Sequence, residues 1–223
     1  MAFQQDTLSV VIGGTSGIGR AVAEALRTRP GRVEAVGRAE GIDIAQPDTV
    51  SAFFARLGPV DHVVVTAGSQ APGGRFTDVS PAAAKAAFDV KLWGSLAVAR
   101  EAAQAIRPGG TLTLTSGVVA RRTLPGTYVK AAMNAAIEAV AKVLARELAP
   151  LRVNVVSPGL TDTEAYRDMA PEARAAMLAR AADTLPAGRH GRPEDIAMAY
   201  LFAIDNPFVT GSVIDVEGGA LIN

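Results

Sequence analysis

At 223 residues, 49% hydrophobic and only 5% aromatic, the chain can bury the core of one large domain, and its abundance of small residues suits helices packed closely on a sheet. Acidic and basic residues balance at 22 each, so no global charge favours nucleic acid or an anionic membrane; the absence of cysteine excludes disulfides and thiol chemistry, and two distant histidines, His62 and His190, predict no metal site. No apolar run approaches bilayer length and the N-terminus carries no signal-peptide pattern, which predicts a soluble cytoplasmic protein.

After a polar lead-in over Met1 to Thr7, Leu8 to Ile12 reads as a buried parallel strand around Val10, Val11 and Ile12. The run Gly13-Gly14-Thr15-Ser16-Gly17-Ile18-Gly19 follows, and Arg20 to Arg27, apolar at Val22, Ala25 and Leu26, reads as a helix on that sheet. Strand, glycine turn and helix together form an anion site: glycine lets the main chain approach a ligand, and the helix N-terminus presents free N–H groups. A purely structural tight turn would read the same way, and the wide gap between Gly13 and Gly17 comes first, unlike the dinucleotide fingerprint whose close pair leads.

Val33 to Gly37 is the second predicted strand. Gly41-Ile42-Asp43-Ile44 comes too soon after it for a parallel crossover of about a dozen residues, so a third strand there is predicted vestigial or absent. Pro47 to Leu57 reads as a helix, Val60 to Gly68 as a strand running into a turn, and residues 69–74 as a loop. Ser80-Pro81 starts a helix, or pair of helices, reaching Ile106. Thr111 to Ser116 is a strand, Gly117 to Gly126 a loop, Thr127 to Leu148 a long helix and Arg152 to Val156 a strand. Leu160 to Arg192 is helical but polar, Glu194 to Ile204 a helix, and Gly211 to Val216 the last strand. Strands alternating with helices predict an α/β fold, a doubly wound parallel sheet between helical layers. No linker or repeat divides the chain, so residues 1–223 are expected to form one domain.

Several of these segments, in order and over nearly the whole chain, resemble the short-chain dehydrogenase/reductase family. Gly13 to Gly19 looks like its Thr-Gly-x-x-x-Gly-Ile-Gly loop, Thr66-Ala67-Gly68 its Asn-Ala-Gly, and Arg152-Val153-Asn154 through Pro158-Gly159 and Thr163 its Arg-Val-Asn-x-x-x-Pro-Gly-x-x-x-Thr. Gly191 to Ala197, Thr210-Gly211 and Gly218-Gly219 are similar to its C-terminal segment. The resemblance implies a single-domain, three-layer, Rossmann-type fold that binds a nicotinamide cofactor through Gly13, Thr15, Ser16, Gly17, Ile18 and Gly19. It places Asp43 and Ile44 by the adenine, Ala67 and Gly68 beside the adenosine ribose, Pro158, Gly159 and Leu160 around the nicotinamide pocket, and Thr163 at the carboxamide or pyrophosphate end. At the end of the second strand an acidic residue would accept from a ribose 2′-OH and repel a 2′-phosphate. The chain has Gly37-Arg38 instead, and a guanidinium suits a phosphate, which favours NADP(H).

The catalytic positions depart from the family. Its proton donor is a tyrosine with a lysine four residues later, on one face of a helix. Tyr128-Val129-Lys130 has the wrong spacing. Registering the helix from its far end, over Glu138 to Leu148, puts Lys130 at the tyrosine position and Asn134 at the lysine position. The other register puts Lys130 at the lysine position and Gly126 at the tyrosine's, and needs a four-residue insertion. Phe88-Asp89-Val90-Lys91-Leu92-Trp93-Gly94 resembles Phe-x-x-Asn-x-x-Gly with Lys91 in place of Asn. Ser116 falls at the catalytic serine or one residue before it, which leaves Gly117 as the other occupant.

These readings lead to an NADP(H)-dependent oxidoreductase acting on a carbonyl or alcohol of a small molecule. Lys130 is expected near the substrate oxygen, Ser116 orienting substrate, Lys91 and Asn134 holding ribose, water or Lys130, and Tyr128 as reserve acid. Lys85 and Lys142 read as solvated charges. A cofactor-binding regulator or scaffold without turnover, and a lyase or isomerase with structural cofactor, are the alternatives. Residues 160–192 are expected to form a substrate lid, whose Arg167, Arg174, Arg180 and Arg189 hint at an anionic substrate. The long helix resembles the family's oligomer-forming helix, which implies a homodimer or homotetramer.

Overall fold

The computed structural model describes residues 3–68 and 71–223. Met1 and Ala2 of the lead-in and Ser69 and Gln70 of the loop expected over 69–74 lie outside the described residues. Six strands form one parallel sheet: β1 (Leu8–Ile12), β2 (Arg32–Val36), β3 (Val60–Val65), β4 (Ile106–Thr115), β5 (Arg152–Pro158) and β6 (Val213–Val216), in the order β2-β1-β3-β4-β5-β6. The helices are α1 (Gly17–Arg27), α2 (Pro47–Leu57), α3 (Pro81–Phe88), α4 (Gly94–Ala105), α5 (Tyr128–Glu147), α6 (Pro171–Thr184) and α7 (Pro193–Asp205).

The strand pattern explains the layers. Alternate residues point to opposite faces. Val10, Ile12, Val63, Val65 and Val155 join α2, α4 and α5 on one side through Phe53, Phe54, Val98, Ala102 and Ile137. Val11, Val64 and Val156 join α1 and α7 on the other through Leu26, Ile196, Tyr200 and Ile204. Because both faces are covered, the strands read as continuous apolar runs rather than alternating ones. The order reverses between β1 and β3, so the ligand crevice of such a sheet opens at their carboxyl ends.

Residues 37–46 hold one 3-10 turn, Arg38–Glu40, and no strand, as the missing crossover predicts. Ile42 and Ile44 instead plug the core. Strand β4 begins earlier than expected: Ile106 pairs with Val60 before the register shifts, so Pro108-Gly109-Gly110 forms an irregularity within the strand rather than its boundary. Gly110 lies too close to the Asp61 carbonyl for any side chain, and Arg107 reaches the Asp61 carboxylate, which accepts from the Leu8 N–H. The segment expected as a helix or pair over 81–106 is α3 and α4 joined by a π-helical turn, Asp89–Trp93.

The glycine turn is tightly packed where it is structural and open where it is not. A Cβ on Gly19 would stand 2.1 Å from the Gly13 carbonyl oxygen and 2.4 Å from Thr66 Oγ1, while one on Gly68 would meet nothing within 4 Å among the described residues. Gly19→Ala is therefore expected to cost about 3 kcal/mol in urea unfolding, ~6–12 °C in Tm. Gly68→Ala should stay within about 0.5 kcal/mol of the parent.

Candidate active site

At the carboxyl end of β1 the chain turns on Gly13, which has a φ of +85°, and enters α1 through Ser16. The Gly13 N–H donates to the Val36 carbonyl, and Thr66 at the end of β3 donates from Oγ1 to the Ile12 carbonyl, so the three strand ends are tied together. Ser16 makes no side-chain cap, which leaves the first turn of α1 to outside acceptors. One is present: a carboxylate oxygen of Glu164 accepts from the Gly17 N–H at 2.9 Å. A turn too close-packed for side chains, open space at Gly68 and an anion on the α1 terminus together fit the diphosphate and ribose of a dinucleotide.

Thr15, Ser16 and Arg38 are exposed on the same rim, and Arg38 forms no ion pair among the described residues. Thr15 Oγ1 is 3.1 Å from where a Gly37 Cβ would stand. Glu40 shares this turn and accepts from the Gly37 N–H at 2.8 Å. The side chain of Ile44 is buried against Gly94, and the Asp43 carboxylate accepts from the Ala45 N–H, so both serve the turn that replaces a strand.

After β3, Ala67 donates to the Ile12 carbonyl. After β5, Gly159 donates to Val216 and is packed against Glu217, while Leu160 joins a small cluster with Val118, Ala181 and Leu185. Thr163 lies over Gly17, and its hydroxyl accepts from the Ala165 N–H.

The loop after β4 brings the catalytic candidates together. The π turn carries Lys91, whose Nζ donates to the Ser116 carbonyl at 3.2 Å. Such a turn adds a residue to the helical register and recurs at functional sites. Burial, and then the neighbouring Lys130 charge, lower the Lys91 pKa from 10.5 to about 8. Lys130, Asn134 and Glu138 recur at every fourth residue on one face of α5. Lys130 is exposed at its head; Asn134 is buried, with no hydrogen-bond partner for Oδ1 among the described residues. A Cβ on Gly117 would stand 2.9 Å from Asn134 Nδ2, so the glycine gives this amide its room.

The Ser116 hydroxyl does not face the two lysines. It donates to Glu138 at 2.8 Å. Arg121 binds the same carboxylate, the Ser157 hydroxyl and Asp215, which ties α5, β5 and β6 to the loop. The Ser116 carbonyl, not its hydroxyl, holds Lys91. Tyr128 lines a cleft of about 340 Å³ with Phe76, Arg122, Leu124 and Thr127, its ring edge-on to Phe76 with centroids 5.1 Å apart. Three of the four lid arginines are committed elsewhere, Arg174 to Asp162, Arg189 to Asp195 and Arg167 to Asp168. Glu138 was findable as the next step of the Lys130–Asn134 spacing; nothing in the sequence marks Glu164.

A family model described as enoyl-(acyl carrier protein) reductase matches residues 34–220. The short-chain dehydrogenase/reductase ATR9 of Stachybotrys chlorohalonatus is 33% identical over 96% of each chain. The chain belongs to the short-chain dehydrogenase/reductase family. It is an oxidoreductase of that type, with the family's three-layer fold. A small-chain dehydrogenase crystallised in complex with NADPH is 51% identical, with a TM-score of 0.96 over 98% of this chain and 100% of that one. Carbonyl reductase family member 4 of Danio rerio is 29% identical over 95% of this chain and 97% of its own. Among the described residues of this short-chain dehydrogenase/reductase, no helix is long and apolar enough to cross a membrane, and no cluster of His, Asp or Glu is arranged to hold a metal.

Proposed function

We propose that the protein is an NADP(H)-dependent oxidoreductase that reduces a carbonyl group of a small molecule, or oxidises the matching alcohol, with a lysine pair in place of the family's tyrosine and lysine. One observation carries the reading: a half-buried Lys91 bonds the loop after β4, at the sheet end that holds the glycine turn, near enough to Lys130 to feel its charge. The NADPH in the 51% identical small-chain dehydrogenase, the glycine turn and the unpaired Arg38 support the cofactor assignment.

When bound, the cofactor supplies or takes up the hydride. The protein's own groups manage charge and protons. Lys130, at the family's tyrosine position, stabilises the carbonyl oxygen as negative charge develops there. Lys91, lowered to about 8 by burial and then by the neighbouring Lys130 charge, is the group of the pair that gives up a proton most readily. Asn134 offers Oδ1 to a donor on cofactor, water or Lys130. Ser116 fixes Lys91 through its carbonyl. Tyr128, Phe76 and Leu124 give the substrate an apolar wall, and residues 160–192 close over it as a lid. The exposed Trp93 and Val143 are consistent with a homodimer or homotetramer through α5.

NADPH oxidation, followed at 340 nm against a panel of aldehydes, ketones and quinones, tests the reading. Turnover lost in Lys130→Ala, with NADPH affinity retained, is the expected result. Tight cofactor binding with no turnover on any substrate would favour the alternative, a cofactor-binding regulator without redox chemistry.

A further inference from the structure

The contact that ties residue 164 to the glycine turn has no part in the chemistry above. Both oxygens of the Glu164 carboxylate are engaged: one accepts from the Gly17 N–H at 2.9 Å, the other meets Arg20 Nη2 at 2.7 Å. Gly17 opens α1, so the carboxylate lies on the positive end of that helix, where an anion is favoured. It reaches there from the far side of the fold, 147 residues along the chain. The short 3-10 turn that carries it, Glu164–Tyr166, starts at Thr163, whose side chain lies over Gly17. The preceding residues are anchored: Asp162 binds Arg174 of α6 and donates from its N–H to the Gly191 carbonyl, and the Thr163 carbonyl accepts from Arg174. The carboxylate is ionised at neutral pH. Its own main-chain N–H first, against a smaller effect of burial, and then Arg20 and the Gly17 N–H, hold it below its usual range.

We infer that Glu164 is an internal stand-in for the cofactor diphosphate: in the cofactor-free protein its carboxylate latches residues 160–167 onto the N-terminus of α1, and cofactor binding must displace it. The inference rests on the dinucleotide reading of the site. A diphosphate and the Glu164 carboxylate need the same N–H donors and the same positive helix end, and two anions are not accommodated there together. Displacement frees Arg20, which stays on the rim as a cation for the incoming diphosphate. The same event frees the Glu164 side chain from α1, so holding the cofactor and resetting the first turn of the lid segment are one exchange of anions. This gives the segment a reason to carry an acid that the chemistry does not use.

The test compares wild type with Glu164→Gln, which keeps the shape and removes the charge. Residue 164 is 41% exposed at its side chain, and matched thermal melts confirm that the variant folds. NADPH binding is read by fluorescence titration. Adenosine 2′-monophosphate, which carries the adenine and 2′-phosphate but no diphosphate, serves as the internal control. The expected result is NADPH binding about three- to ten-fold tighter in the variant, with adenosine 2′-monophosphate unchanged. Amide exchange of residues 163–167 in the cofactor-free protein should also be faster in the variant. Unchanged or weaker NADPH binding overturns the inference, and so does an equal gain for both ligands, which would mark a general charge effect. If neither protein binds NADPH, the cofactor assignment itself fails and the inference falls with it; normal NADPH binding with no effect of the substitution removes only the inference.

Discussion

Replacing Lys91 with methionine should slow carbonyl reduction by about 100-fold and, at pH 7, make the folded protein more stable. The two effects have one source. Lys91 is half-buried with its ammonium turned inward to the Ser116 carbonyl, sits near a second cation, and titrates near pH 8 rather than 10.5. Below pH 8 the ammonium is charged in both the folded and unfolded chain, and the folded state carries the full cost of keeping it in the interior. Between about 8 and 10.5 the folded protein has released the proton while the unfolded chain still holds it, so stability rises with pH through that window. A shift of this size corresponds to about 3 kcal/mol at most. Losing the bond to the Ser116 carbonyl offsets part of it, which leaves a net gain of about 1–2 kcal/mol for Lys91→Met. The advantage should shrink above pH 8 and vanish near 10.5. Urea unfolding at pH 7 and pH 10 measures it.

The kinetic arm has its own sign. Reduction consumes a proton at the carbonyl oxygen, so the wild-type rate should fall as pH rises through about 8, and alcohol oxidation should rise over the same range. In Lys91→Met the group that titrates near 8 is gone, so the alkaline limb of the reduction profile should no longer fall at that pH. A surface lysine without a role would give none of this. A kcat within threefold of wild type, or a profile unmoved by the substitution, would sink the lysine-pair assignment.

The second large effect concerns the other end of the cofactor. Arg38→Ala should weaken NADPH binding by about 10- to 100-fold and leave NADH within about twofold. Arg38 stands at the turn after β2 where a carboxylate would select the unphosphorylated ribose. It has no ion pair among the described residues, and the hydroxyl-bearing Thr15 and Ser16 are exposed on the same rim. Glu40 is the opposing consideration, because its carboxylate lies in this turn. It accepts from the Gly37 N–H and makes no ion pair with Arg38 among the described residues. Parallel titrations of NADPH and NADH settle the preference; equal affinities in the wild type would show that Arg38 is a solvated charge and nothing more.

The parts of the molecule legible in the sequence are those governed by local pattern. Continuous Val and Ile runs flanked by glycine and proline give β1 to the residue and β2, β3, β5 and β6 to within three residues at either end, and the missing crossover after Gly37 gives the absence of a strand there. The shared face of Lys130, Asn134 and Glu138 is readable because fixed four-residue spacing on α5 carries it. What escaped depends on residues distant in the chain. Ser116 lies at the expected place, yet which way its hydroxyl turns is decided by Glu138, 22 residues on, and Arg121. The packing of Ile44 against Gly94, 50 residues on, is likewise a contact that no local pattern shows. Glu164 finds Gly17 only once β1 and β5 lie in one sheet.

The strand that is absent after β2 leaves a mark on how the protein meets its own copies. Among the described residues β2 is an edge strand of the sheet, and the outer side of such a strand is a template onto which another chain could add. The strand is five residues long, sets charged Arg32 and Glu34 at alternate positions, and is buried fully only at Val36. A shortened sheet thus ends on a strand too brief and too polar to recruit a partner, which allows the fold to be trimmed without becoming prone to stack into fibrils.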